Sequence, residues 1–321
     1  MSPKNISLKD IFAARKNVYR HLSPTPLYTY PALNDLLGTR VWIKHENHQP
    51  VGAFKVRGGL NLAANLTDEE KNNGLFTAST GNHGQSIAYA AKAYAIKATI
   101  AVPEGANLGK VAAMRGLGAE VLFHGRDFDE AREWIELLAA KKGGRFVGPT
   151  DERLIEGVGT YALEIMEELP SVDTIIVPVG AGSGVCGTGI VAKAINCDIE
   201  IIAVQSAQAP AMKLSWDSGT MIESEMNTFA EGLATRVPFA NTQRIMREYV
   251  DDFILVDDKK IKSAVITLLE KTHNLVEEAA AAPLAAALQI REKLKNRTVV
   301  LVMSGGNISL ENLRDAIVAG I

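Results

Sequence analysis

A lysine set between glycines is the first group in this chain able to do covalent chemistry. Gly52-Ala-Phe-Lys-Val-Arg-Gly-Gly59 places Lys55 beside Phe54 and Val56, with Arg57 following, at the start of an apolar helical run. Burial lowers an amine's pKa and makes it a Schiff-base nucleophile; the ordinary alternative is a solvated lysine. Ser79-Thr-Gly-Asn-His-Gly-Gln85 follows the apolar patch Leu75–Ala78 and precedes a helix. Hydroxyls and open N–H groups at a helix start make a cradle for a carboxylate; plain N-capping, with His83 a satisfied histidine, accounts for them equally. Gly180-Ala-Gly-Ser-Gly-Val-Cys-Gly-Thr-Gly189 runs directly out of the strand Thr174–Val179, with five glycines in ten residues. That density points to backbone N–H groups converging on a phosphate, beyond what a tight turn needs. Ser304-Gly-Gly-Asn307 follows the apolar strand Val299–Met303 and puts a hydroxyl at a sheet's carboxyl edge; an ordinary turn capped by Asn307 or Ser309 is the plainer reading.

Gly182-x-Gly184-x-x-Gly187 also fits the G-x-G-x-x-G dinucleotide pattern. That pattern needs an acid about 20 residues on, at the end of the next strand, for the ribose. The strand Glu200–Gln205 ends in Gln205, Ser206 and Ala207 instead, and a monophosphate fits at least as well. Taken together, the four segments supply an amine, a carboxylate cradle, a phosphate cradle and a lone hydroxyl. Pyridoxal 5′-phosphate carries one aldehyde, one phosphate and one ring nitrogen, and its amino-acid substrate brings the carboxylate, so the inventory matches.

The elements that must position these groups alternate. Short β-branched runs at Val41–Lys44, Ala98–Val102, Glu120–Phe123, Thr174–Val179, Glu200–Gln205, Phe253–Val256 and Thr298–Met303 read as strands. Helical patterns at Gln85–Tyr94, Lys110–Leu117, Asp129–Lys141, Ile155–Leu169, Lys259–Thr272 and Ala281–Leu294 lie between them. Continuous apolar strands alternating with helices predict an α/β protein with open, mostly parallel sheets, whose ligands bind outside the strands' carboxyl ends. With 321 residues, about two domains are expected, and no linker marks a boundary. The balance of 34 basic to 37 acidic residues argues against nucleic-acid and electrostatic membrane binding. Cys186 and Cys197 cannot build a disulfide framework. Met1–Asp10 has no apolar leader core, and no run is long enough to span a membrane, so a cytoplasmic location is expected.

In their order and spacing the four motifs resemble the serine/threonine dehydratase family, pyridoxal-phosphate enzymes of the tryptophan-synthase β-subunit fold. The resemblance implies two lobes, each an open, mostly parallel twisted sheet flanked by helices: a large cofactor-binding domain of residues 1–48 and 147–321, and a small inserted domain of 49–146, with the cofactor between them. It implies a homodimer, and the chain's end soon after Ser304 suggests no C-terminal regulatory domain. Lys55 is implied as the Schiff-base lysine and Phe54 as packing on the ring. Gly180, Ala181, Gly182, Ser183 and Gly184 would hold the phosphate, Asn82 the ring's 3′ oxygen, and Ser304 the pyridine nitrogen. Ser79, Thr80, Asn82 and His83 would bind the substrate carboxylate. The implied reaction is β-elimination. Lys55 removes the Cα proton of L-threonine or L-serine, the β-hydroxyl leaves, and a 2-oxo acid and ammonia follow. Phenylserine, 3-hydroxyaspartate or racemisation are the nearer alternatives, and a nicotinamide-dependent dehydrogenase the remote one.

Departures from the family pattern are local. Val51 and Ala53 replace two hydroxyls, and Ala181, Ser183 and Gly184 alter the glycine loop. Thr80 stands where racemase-like members have a serine acting as base. Gln205, Ala209 and Ala211 match the acidic ligands of metal-dependent relatives and are poor ligands for a hard cation, so no divalent metal is expected there. Glu231-Gly232-Leu-Ala234 stands where relatives often have Ala-Asp-Gly and would face the substrate at Gly232; Glu277 matches an acid placed near the cofactor ring. His124, Arg126 and Asp127 read as a solvated loop, and Cys186 as packing.

Overall fold

The computed structural model describes residues 5–320; Met1 to Lys4, part of the segment scanned for a leader, and Ile321 lie outside it. The chain divides into two compact units: residues 1–8, 24–54 and 161–321 form the first, and residues 9–23 and 55–160 the second. Where the resemblance implied a small domain of 49–146, the second unit begins at Lys55, leaves 49–54 in the first unit, continues to Thr160 and takes in the helix Leu8–Val18 from residue 9 on. One division falls at the peptide between Phe54 and Lys55.

The first unit is built on β1 (Leu27–Thr29), β2 (Arg40–His45), β7 (Thr174–Pro178), β8 (Glu200–Ser206), β9 (Asp252–Val256) and β10 (Thr298–Met303). Their order is β1-β2-β10-β7-β8-β9, parallel except for the antiparallel edge strand β1. The second unit holds β3 (Leu75–Ala78), β4 (Ala98–Val102), β5 (Glu120–Phe123) and β6 (Arg145–Phe146) in the parallel order β5-β4-β3-β6. Every residue of β10 is buried, which is why its sequence shows no alternation. Its side chains join those of the helix Glu278–Gln289 in the larger core, while Phe76, Ala101, Ile135 and Ala139 anchor the smaller one. β1 and β6 have three and two residues, too few for any periodicity to announce them. No helix among the described residues is long and apolar enough to cross a membrane.

Two expected helices differ. The 155–169 pattern folds as Glu152–Val158 and Thr160–Glu168. At the break, Thr160 Oγ1 donates to Gly157 O at 2.7 Å and accepts from Arg57 Nη1 at 3.2 Å, a side-chain bond that competes with helical continuation. The last core helix spans Glu278–Gln289 rather than 281–294, and residues up to Leu294 fold as turns.

Within the second unit, the helix Lys55–Ala64 is wedged between two others at backbone distance. A Cβ on Gly59 would lie 2.5 Å from Ser86 Oγ, and one on Gly157 would lie 2.4 Å from Arg57 O and 2.8 Å from Asn61 Cβ. Gly157→Ala is therefore expected to destabilise the protein by about 1–3 kcal/mol, because backbone and not a flexible tip blocks the methyl; urea denaturation checks this.

Candidate active site

β7 leads through Val179 into Gly180, Ala181 and Gly182, and the helix Ser183–Ile195 begins immediately after. Gly182 sits at φ +99°, in the left-handed region that glycine adopts without steric cost. A Cβ there would stand 2.8 Å from Thr242 Cβ, and one on Gly180 would stand 2.2 Å from Gly232 O. The loop's carbonyls are tied back. Thr242 Oγ1 donates to Ala181 O at 2.7 Å, and Tyr161 Oη and Thr188 Oγ1 donate to Gly184 O at 3.0 and 2.9 Å. With carbonyls held away, a helix start with no acidic residue in its first turn presents N–H groups and the positive dipole end. These are the features a phosphate needs, so the loop fits a phosphate-bearing group.

Phe54 and Ser304 come together in the same unit, although 250 residues separate them. Phe54 N–H donates to Ser304 O at 3.0 Å, Ala53 bridges Gly305, and Gly306 N–H donates to Gly52 O at 2.8 Å. Asn307 Nδ2 adds a bond to Val51 O at 2.8 Å. The Phe54 ring stands edge-on to Tyr161, centroids 6.2 Å apart, at ordinary contact distance from the position a Cβ on Gly184 would take. Ser304 is buried, and among the described residues its hydroxyl makes no hydrogen bond. Glu277, also buried, abuts the next residue: a Cβ on Gly305 would lie 2.4 Å from its Oε1, and one on Gly232 would lie 4.0 Å from it. Phe54, Ser304, Glu277, Gly232 and residues 180–184 are therefore gathered in the first unit.

The second unit gathers the rest. Lys55, half-buried, is the first residue of its helix, and Ser86 Oγ donates to its carbonyl at 2.6 Å. β3 feeds Ser79, Thr80 and Gly81 into the helix Asn82–Ala93, whose first turn carries no acid. Ser79 Oγ accepts from Gly81 N at 3.2 Å. His83 is buried, and its Nε2 lies 3.2 Å from Val147 O. A carbonyl only accepts, so Nε2 carries the proton. Burial, and second the charge of Lys55, lower the His83 pKa to about 4. The ring is neutral at pH 7 with its one proton committed to Val147, so it has no N–H left for a carboxylate. The backbone N–H of His83, in the first turn, is the donor that remains.

Other singled-out residues lie elsewhere in their units. His124 stacks on Trp134 at 4.4 Å, and Arg126 pairs with Glu130. Asp127 caps the helix Phe128–Lys142 by accepting from Glu130 N. Cys186 is buried with Sγ against Thr242 O, and burial pushes its thiol pKa up, which makes it packing. Among the described residues no group of three His, Cys, Asp or Glu could hold a metal ion. Sequence reading missed Tyr161, Thr188 and Thr242; Tyr161 and Thr242 lie 23 and 61 residues from the carbonyls they hold and leave no local signal, while Thr188 bonds back one helical turn to Gly184 O.

Residues 18–305 match the family described as pyridoxal-phosphate dependent enzyme. The chain is 38% identical to the L-threonine ammonia-lyase of Thermotoga maritima over 98% of its own length and 78% of that protein's. It superposes on the processed form of threonine deaminase isoform 2 from Solanum lycopersicum with a TM-score of 0.92 and 31% identity, over 99% of this chain and 95% of that one. Serine racemase from Dictyostelium discoideum gives a TM-score of 0.89 and 35% identity, over 95% of this chain and 99% of that one.

Two outcomes are expected. Gly182→Ala puts a methyl against Thr242 at a left-handed position, and titration with pyridoxal phosphate should show affinity reduced about tenfold or more while circular dichroism stays native. His45, like His83, is buried with its pKa lowered to about 4, by burial first and His48 second. Their contribution to stability is complete above the unfolded value of 6.5 and is lost as pH falls toward 4, up to about 3 kcal/mol each. Urea midpoints at pH 7.5 and 5.0 measure the loss, and His83→Gln should shrink it.

Proposed function

The chain belongs to the pyridoxal-phosphate-dependent enzyme family, and from that premise we propose that it is an ammonia-lyase converting L-threonine, L-serine or both to a 2-oxo acid and ammonia. The observation that carries the reading is the hydrogen bond from Phe54 N to Ser304 O beside Gly184. It sets a lone hydroxyl, an aromatic face and a phosphate cradle on one side of the peptide that leads into Lys55.

When bound, pyridoxal phosphate supplies the conjugated electron sink that acidifies the substrate's Cα. Lys55 would hold the cofactor through its amine and would serve as the base that takes the substrate's Cα proton. Gly180 to Gly184 hold the phosphate through N–H groups, and Phe54 packs on the ring. Asn82 bonds the ring's 3′ oxygen. Ser79, Thr80, Asn82 and the backbone N–H of His83 orient the substrate carboxylate at a helix start. That fixes which Cα bond Lys55 reaches. Ser304 offers a neutral hydroxyl to the ring nitrogen. Gly232, close-packed on Ala279 with Glu277 Oε1 4.0 Å from the position of a Cβ, is read as lining the substrate site. On the family resemblance we read the chain as a cytoplasmic homodimer.

Adding L-threonine to the purified yellow protein should shift its visible band and release 2-oxobutyrate. Lys55→Ala is expected to lower turnover by about 10⁴-fold or more with the fold intact; substantial keto-acid formation by that variant would sink the assignment. A band that shifts while optical rotation decays without ammonia would instead indicate a racemase.

A further inference from the structure

The turn that packs on the glycine loop is short and is anchored in the core through Ala230 and Leu233. Glu231–Leu233 is a single 3-10 turn whose Glu231 and Gly232 are exposed. Yet Gly232 O fills the space beside Gly180, so its position limits where the loop's first glycine lies. Side chains from β8 and the residues after β9 hold this turn at both ends. On its approach, Asp258 accepts from Thr228 Oγ1 at 2.9 Å, Phe229 N at 3.1 Å and Ser206 Oγ at 2.5 Å. On its exit stands Gln205, completely buried at the end of β8. Gln205 Nε2 donates to Thr235 Oγ1 at 2.9 Å and reaches Leu233 O at 3.5 Å. Its Oε1 accepts from Lys213 N at 3.3 Å, in the first turn of the helix Ala211–Ser218, whose N-cap, Pro210, offers no side-chain bond.

We propose that Gln205 is a positioning residue for the cofactor phosphate, acting through the 231–235 turn on Gly180. The inference rests on the reading of residues 180–184 as the phosphate cradle. A primary amide is the one side-chain group of this size that donates to the turn and accepts from the helix start at once. A carboxylate lacks the donor, and an aliphatic side chain lacks both. Val179 N–H donates to Val204 O at 2.8 Å, so the strand that carries Gln205 is also the strand against which the loop leaves β7. The turn, the loop and the helix start are thereby referred to one buried residue.

The test compares pyridoxal phosphate with pyridoxal, which lacks the phosphate, by titration of the full chain. Wild type should prefer the phosphorylated form. In Gln205→Met, affinity for pyridoxal phosphate should fall about tenfold while that for pyridoxal changes less than about twofold. Thr235→Val removes the acceptor and leaves Gln205 in place; it should shift the same preference in the same direction, and Thr235→Ser should restore it. The Thr235 pair keeps the proposal exposed if Gln205→Met fails to fold. A wild-type preference retained in full by folded Gln205→Met, or by Thr235→Val, overturns the proposal alone. An equal loss for both compounds also overturns it, since it marks general loosening. A wild type with no preference for the phosphorylated form overturns the phosphate-cradle reading and the proposal with it.

Discussion

The short antiparallel zipper between residues 51–54 and 304–307 is the constraint on which the site depends. It consists of the Phe54–Ser304, Gly52–Gly306 and Val51–Asn307 bonds and the Ala53–Gly305 bridge. Gly52 enters it at φ +68°, a conformation other residues resist, with Asn307 Oδ1 packed where a Cβ would be. Each bond is worth about 1 kcal/mol net. Together they fix the backbone of the residue before Lys55 against the residue after β10. An error in this register would move Phe54, Ser304 and the start of the lysine's helix at once.

Close backbone approach is the means by which the remaining groups are placed. Gly180 against Gly232 O, and Gly157 against Arg57 O, leave no room for a methyl. Such contacts are stiff, because backbone atoms cannot rotate away as a side-chain tip can. The threonine and tyrosine hydroxyls at 161, 188 and 242 then tie down loop carbonyls, leaving N–H groups to face a ligand. The result is a helix start whose main-chain N–H groups are open, a form that fits an anion.

Electrostatics in the second unit are arranged by omission. The helix that starts at Asn82 has no acid in its first turn to compete for the dipole. His83 is kept neutral by burial and spends its proton on Val147 O, which Thr77 Oγ1 also approaches at 2.8 Å. A substrate carboxylate is thus offered N–H and hydroxyl donors. The histidine ring serves to hold the segment after β6 against the helix start.

The sequence by itself determined the chemical inventory and most of the sheet. β4 and β10 span the residues their apolar runs marked, because a strand buried on both faces writes a continuous signal. Lys55 and Ser304 were singled out only when the four motifs were taken together, because an amine or a hydroxyl alone carries no such signal, whereas the density of glycine after β7 is visible in one segment. The tertiary structure alone decided which carbonyls Tyr161 and Thr242 hold, how Gln205 divides its amide, and that the His83 ring has no proton to give. It also decided that the helix expected at 155–169 breaks before Thr160, where a hydroxyl bonds back to Gly157. The physical reason is range. Strand patterns and helix starts are set by neighbours a few residues away, whereas hydrogen-bond partners, protonation states and backbone contacts depend on atoms that only folding brings together.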